Sequence, residues 1–374
     1  MIQTKRKKNV TVRKNENIFL CFFIIILIFQ SGCTEAHIVD TQRMIHVGGF
    51  DITKNKKFRG TILYPDYTKG VQSKPETQST HAGTIETISS LLNAKSPHTI
   101  AVGQMRVVLF GKAFGEHGLG DVINNLQRDP NIGRDVQLAL VDGSTEELLK
   151  HVKTNGSLYL SELLEQNIKN ETIPRTALNI FLYNFYSSGC DAFLPYIQVS
   201  EDKSASIKGL AFLKKDKVTM YTDRKRSFLF KLLINPTKNG RYEVPIRQGK
   251  HKGVIATQNL SGNSECSLSP NGDIPKVNIH LKLNGLIKNA PRWLDLSKSK
   301  NVTYVKRHIE KMLEKDLNEL IKQFQENKID PIGIREEIRS HSRKWSMKQI
   351  QDMYPNVDIA VNVKINVVQS GIGE

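Results

Sequence analysis

The chain has 374 residues, 39% of them hydrophobic and 24% charged, which excludes a disordered polymer and allows one large or two ordinary domains. Its four cysteines are too few for a disulfide-built scaffold, and its formal charge of +17 points to an anionic neighbour. A lipid surface is the simplest such neighbour; nucleic acid finds no support in zinc-ligand spacing or an RNA-binding aromatic signature.

Lys5, Arg6, Lys7, Lys8, Arg13 and Lys14 precede an unbroken apolar run of 12 residues, Ile18 to Phe29. As a helix that run is about 18 Å long, well short of the roughly 30 Å hydrocarbon layer, so it predicts an export signal rather than a span. It stops at Gln30-Ser31-Gly32-Cys33. Small residues before a cysteine suit a peptidase with a narrow cleft, and the tetrapeptide resembles the lipobox of bacterial lipoproteins, with Gln30 where an aliphatic residue is usual. That resemblance implies a signal peptide over 1–32, a diacylglyceryl group on the Cys33 thiol and acylation of the new amino terminus. An uncleaved anchor with an incidental cysteine is the other reading. Buried acyl chains contribute about 0.8 kcal/mol per methylene and hold a water-soluble body at a bilayer without a protein span. Residues 1–32 carry six basic side chains and one acidic one, so the remainder keeps +12. Cys190 and Cys266 either pair with each other or are buried separately.

Beyond the tether, Ile45 to Ile52 and Lys57 to Tyr64 predict a hairpin turning at Thr53-Lys54-Asn55-Lys56. Thr68 to Ser79 reads as an exposed loop. Thr84 to Ala94 places Ile85, Ile88, Leu91 and Leu92 on one helical face, closed by Pro97. Met105 to Phe110 is a buried strand ending at Gly111, and the segment to Gln127 is helical through Leu119, Val122, Ile123 and Leu126. Val136 to Val141 is another strand, and Ser144-Thr145-Glu146-Glu147 predicts a capping box. Ser157 to Ile168 and Thr176 to Tyr186 predict helices, the second with Phe181, Tyr183, Phe185 and Tyr186 as a core cluster.

From Tyr196 to Thr222 the pattern becomes strand-like, and the turn at Glu201-Asp202-Lys203-Ser204 divides the chain into 33–204 and 205–374. Strands follow at Tyr242 to Arg247, Gly253 to Leu260 and Lys276 to Leu283, with turns at Asn239-Gly240 and Asn271-Gly272. Val302 to Gln325 is the longest helix, apolar at Val305, Ile309, Met312, Leu313, Leu317, Leu320, Ile321 and Phe324, and lies across a sheet. Arg335 to Ser342 and Ser346 to Met353 are short helices flanking Trp345, and the alternation from Ile359 to Val367 ends the chain on a half-buried strand. The fold class is α+β, with mixed domains and, in the second half, an antiparallel-rich sheet carrying the long helix.

Chemistry is sparse. There is no phosphate loop, dinucleotide fingerprint, His-Glu-x-x-His pair or nucleophile elbow, and no histidine has metal-ligand spacing. His117 is the best single candidate for a base, and Glu146-Glu147 and Glu336-Glu337 read as helix-start carboxylates. No catalytic residue, cofactor or metal is assigned.

Two stretches carry a more specific likeness. Met105-Arg-Val-Val-Leu-Phe-Gly111, Leu126-Gln-Arg-Asp-Pro-Asn-Ile-Gly-Arg134 and Gly143-Ser-Thr-Glu-Glu-Leu-Leu149 resemble the amino-terminal half of the Ger(x)C family of spore germination lipoproteins. Gly209-Leu-Ala-Phe-Leu-Lys-Lys-Asp-Lys217, Ile329-Asp-Pro-Ile-Gly333, Trp345, Tyr354-Pro355 and the last strand resemble the other half. The resemblance implies a non-enzymatic C subunit of a nutrient germinant receptor, held by lipid on the outer face of the spore inner membrane. Its partners would be a polytopic A subunit and a transporter-like B subunit. The family's usual Trp soon after the lipidated cysteine is absent. Arg128-Asp129-Pro130 reads as a salt-linked helix stop. The reading from a different class is an exported solute-binding lipoprotein of a transporter.

Overall fold

The computed structural model describes residues 42–55, 57–66, 74–269, 274–341 and 344–368; Cys33 and the apolar run before it lie outside them. Val107 to Phe110 are completely buried. They form β6 (Val107–Gly111), an inner strand of an eight-stranded sheet, and a strand covered on both faces reads as a continuous apolar run. β2 (Val47–Ile52), β7 (Gln137–Val141) and β8 (Phe193–Val199) run parallel to it in the order β8-β7-β6-β2. Antiparallel strands extend the sheet on both sides, β3 (Phe58–Asp66) and β4 (Lys74–Ala82) beyond β2, and β9 (Ala205–Lys214) and β10 (Lys217–Asp223) beyond β8. A separate pair joins β1 (Gln42–Met44) to β5 (Thr99–Ala101).

The helices of this half are α1 (Glu86–Ala94), α2 (Lys112–His117), α3 (Gly120–Arg128), α4 (Thr145–Val152), α5 (Tyr159–Lys169) and α6 (Leu178–Tyr186). Strand alternation divides the core between two faces. Val107, Leu109, Ala139 and Val141 share a cluster with Leu148 and Leu149 of α4 and Leu160 of α5. Val108, Phe110, Leu138 and Leu140 share another with Val122 and Leu126 of α3 and Phe181 of α6. The Glu201–Ser204 turn, where the sequence pattern changes, connects β8 to β9 within the sheet.

The second sheet has four strands in the order β11 (Arg241–Gln248), β12 (His251–Ser269), β13 (Lys276–Asn289) and β14 (Asp358–Val368). Between the sheets in sequence lies α7 (Arg224–Ile234); α8 (Ser299–Glu326), α9 (Ile334–His341) and α10 (Met347–Met353) separate β13 from its parallel neighbour β14. α8 covers the sheet with Val305, Ile309, Leu313, Leu317, Leu320, Ile321 and Phe324, the stripe its three-and-four spacing predicts. The first core cluster runs on through this interface, from Val47 to Ile365.

Several elements differ from expectation. Of the segment read as loop, Thr68 to Ser79, residues 68–73 lie outside the described residues and Lys74 to Ser79 belong to the polar edge strand β4. Residues 112–128 form two helices, broken at Gly118, whose φ of +143° no side-chain-bearing residue adopts easily. α7 carried no amphipathic signal because Ser227 to Leu233 are all buried, so no polar stripe marks it. Of the four aromatics expected as a cluster in α6, Phe181 is fully buried and Phe185 packs partly buried against it, whereas Tyr183 and Tyr186 are 73% and 51% exposed.

β14 is an edge strand, and α8 closes that edge. Its Glu310, Glu314 and Asn318 accept the backbone N–H groups of Ile365, Val363 and Val361 at 3.0, 3.0 and 3.2 Å. The match is geometric: four helical residues advance about 6 Å and two strand residues about 6.7 Å, so the two ladders stay in step over three bonds. Unpaired strand donors template association with other chains. Replacing Glu310 and Glu314 together with Ala should therefore shift the protein toward dimers and larger species in light scattering, with the single substitutions intermediate.

Candidate functional site

In an open α/β sheet, ligands bind beyond the carboxyl ends of the parallel strands. Here the ends of β2, β6 and β7 border a cavity of about 370 Å³ lined by Asp51, Arg59, Lys112, Phe114, Gly143 and Ser144. Its strongest anion-binding element, the amino terminus of α4, is already occupied. Asp51 accepts the N–H groups of Thr145 and Glu146 at 2.9 and 3.2 Å and the hydroxyls of Thr145 and Ser144 at 2.8 and 3.0 Å. The expected Ser144–Glu147 capping box does not form; a buried carboxylate from a strand more than ninety residues earlier caps the helix instead. Glu146 turns outward to Arg59, Ser79 and Lys150, three partners that outweigh the effect of burial and hold its carboxyl below the usual range.

Along the same edge lies a second self-satisfied cluster. Asp142, just past β7, accepts the Tyr196 hydroxyl at 2.5 Å and pairs with Lys208 and, at 3.6 Å, with Lys112. Burial raises the Asp142 pKa, but the bonds from Lys208 and Tyr196 outweigh it and leave the carboxyl below its ordinary range. Tyr221 donates to Glu116 at 2.8 Å, and its ring lies 4.8 Å from that of Tyr196. Burial and those carboxylates push both phenols well up. These groups neutralise one another.

The deepest charges are elsewhere. Asp191, just before β8, and Asp330, between α8 and α9, share Arg335. Asp191 accepts the Arg335 guanidinium at 2.5 Å and the N–H of Asp330 at 2.7 Å, while the Asp191 N–H donates back to the Asp330 carbonyl at 2.9 Å. Asp330 accepts the N–H groups of Gly333 and Arg335 at 3.0 and 2.6 Å, with the guanidinium Nε 3.5 Å away. Burial raises the Asp330 carboxyl to about 6 against the pull of Arg335, and raises Asp191 in the same direction. Cys190 lies alongside, its thiol donating to the Pro331 carbonyl at 3.6 Å; burial and the two carboxylates raise it to about 12, which leaves it unreactive. Cys190 and Cys266 are both free, Cys266 on an exposed stretch of β12.

The profile described as the spore germination protein N-terminal domain matches residues 35–199, and the one described as spore germination B3/GerAC like, C-terminal, matches 208–371. The chain belongs to the GerAC-like family of spore germination proteins. It is similar to Spore germination protein GerQC of Bacillus cereus, 28% identical over 355 residues, which span 94% of this chain and 98% of that protein. The crystal structure of the GerBC protein shares the fold, with a TM-score of 0.57 and 15% identity over 86% of this chain and 96% of its own.

The stretches that carry the family likeness fall where packing is least forgiving. Gly209 lies against β10, where an added Cβ would stand 1.7 Å from the Thr222 carbonyl oxygen. Ile329 to Gly333 builds the Asp330 joint, and the buried Tyr354 ring lies under Arg335 with 5.8 Å from guanidinium carbon to ring centre. Arg128 ends α3 but does not form the expected salt link. It has no ion pair among the described residues, and the turn is made by Asp129 accepting the Asn131 N–H at 2.9 Å. His117 is an exposed residue at the end of α2, and the described residues contain no cluster of His, Cys, Asp and Glu able to hold a metal. Glu336 and Glu337 occupy the first turn of α9 as expected. Asp51, Asp191 and Arg335 escaped sequence reading because their partners lie 93–144 residues away.

Removing Arg335 as Met should cost about 3–5 kcal/mol in denaturant unfolding, since it strands two buried carboxylates. Asp330 titrates upward on folding, so its contribution to stability is complete below about pH 4 and is lost as pH rises through about 6. The difference in Tm between the wild type and Asp330→Asn should therefore move in favour of the wild type as pH falls from 7 to 4.

Proposed function

We propose that this chain is the lipid-anchored, non-enzymatic C subunit of a nutrient germinant receptor, required for spores to germinate in response to nutrients. The observation that carries the reading is the match of both family profiles, in order, across residues 35–199 and 208–371. Cys33, two residues before the first matched position, is the attachment site, and residues 1–32 are the signal peptide. The A and B membrane subunits are its partners, and the outer face of the spore inner membrane is its place. No helix among the described residues is long and apolar enough to cross a membrane, which accords with tethering by lipid. Mutual neutralisation of the carboxyl-edge groups, and occupation of the α4 amino terminus by Asp51, support a role without catalysis.

The test is Cys33→Ala at the native locus, read in two ways. Membrane retention in spore fractions should be lost, and nutrient-triggered germination should fall while germination by agents that bypass the receptor is unchanged. Retention equal to wild type would overturn the anchor, and full nutrient response without the protein would overturn the receptor role.

A further inference from the structure

Beside the inner strands lies a cavity of about 410 Å³ that none of the preceding roles uses. One wall is β2 and β3, where Gly48 stands beside Phe50 and Ile62 and leaves the sheet face hollow, while Ile88 of α1 packs down onto Gly60. α1 contributes Ile88 and Leu92, and the segment leading into β6 contributes Val102 and Met105. Two apolar clusters meet here without merging. Phe50, Phe58, Val102 and Met105 pack against both clusters and are only partly buried in either. An apolar guest would cover Phe50, Val102 and Met105, which line the cavity, and the volume falls within the range of small-molecule sites.

The rim is charged and mixed. Glu86 opens α1, where its carboxylate meets the Asn125 amide at 3.3 Å; Arg128 and Asp129 close α3. Among the described residues Arg128 has no ion pair, and Asp129 accepts both Asn131 donors on one oxygen and has no partner on the other. One unpaired guanidinium and two carboxylates above an apolar floor match a guest carrying both charges at one end. A simple carboxylate would face two acids, and a simple amine would face the guanidinium. We propose that this cavity binds a small zwitterion with an aliphatic or aromatic body, its carboxylate on Arg128 and its ammonium between Glu86 and Asp129. The proposal is independent of lipidation and of the receptor role.

The full chain in lipid nanodiscs, labelled with 13C-methyl methionine, gives a local readout, because Met105 is one of seven methionines and the one on the cavity wall. Leucine is the probe, with leucinamide and N-acetylleucine as partners that each lack one charge. The Met105 methyl signal should shift saturably with leucine, and either singly charged partner should bind at least about tenfold more weakly. Arg128→Gln, on the surface, should remove the preference for leucine over leucinamide, and leucinamide should bind that variant at least as tightly as it binds the wild type. Gly48→Leu should abolish the shift by filling the hollow, since a Cβ there meets nothing nearer than Met105 at 3.8 Å. An absent or non-saturable shift, equal binding of all three probes, or an Arg128→Gln protein that still prefers leucine would overturn the proposal.

Discussion

One guanidinium holding two buried carboxylates ties the carboxyl-terminal sheet and its long helix to the amino-terminal sheet. Such an arrangement is expensive in desolvation and persists only when every lone pair has a donor. Here the donors are the backbone amides of residues 330, 333 and 335 and one guanidinium nitrogen of Arg335, and together they hold the turn after α8 against Asp191. The end of α8 is thereby pinned where Phe324 meets Phe212 and Phe230, at ring separations of 5.0 and 5.8 Å. Apolar packing supplies most of the stability of such a joint; the ionic knot selects one geometry for it. With two acids and one base, the joint is also the place where mild acid relieves rather than disrupts.

The carboxyl edge of the parallel strands follows the same logic. A helix amino terminus facing a crevice is a ready site for an anion, and many α/β folds leave it open for a ligand. This chain fills it with Asp51, and it surrounds Asp142 with two lysines and a phenol. The topology that elsewhere builds active sites is here turned to holding α4 against β2. That displaces ligand chemistry from the polar edge of the sheet to its apolar flank, where Gly48 leaves room and the Arg128 guanidinium at the rim has no ion pair among the described residues.

The legible parts of the fold were those written in local periodicity. The doubly buried run at β6, the α8 stripe and the alternation of β14 each reflect neighbours within a few residues, and each appears where the pattern places it. What escaped was encoded at long range or by burial on all sides. α7 shows no amphipathic contrast because it has no wet face, and β4 looks like a loop because an edge strand tolerates polar residues. The Ser144 motif was misread for a related reason: the box was present in sequence, but a stronger acceptor, folded in from β2, took its donors. The family stretches marked the right positions for the wrong local reason. Arg128-Asp129-Pro130 reads as a salt-linked stop, yet its arginine is the residue left unpaired at the cavity rim.

The proposed receptor role asks for a part that stays fixed and a part whose packing can change by a few kcal/mol. The Arg335 joint has the character of the first, since any rearrangement there exposes an uncompensated charge to an apolar surround. The cavity has that of the second. Its walls belong to two clusters bridged by Phe50, Phe58, Val102 and Met105, and of these Phe50, Val102 and Met105 line the gap and gain burial if something fills it. At about 25 cal/mol per Å² of apolar surface covered, one hundred or so Å² gained there is worth about 2–3 kcal/mol, comparable with a typical coupling between sites. α1, which packs on β4 at the sheet margin and forms one wall of the gap, is the element that would register the change, while the β6 frame beneath it would not move.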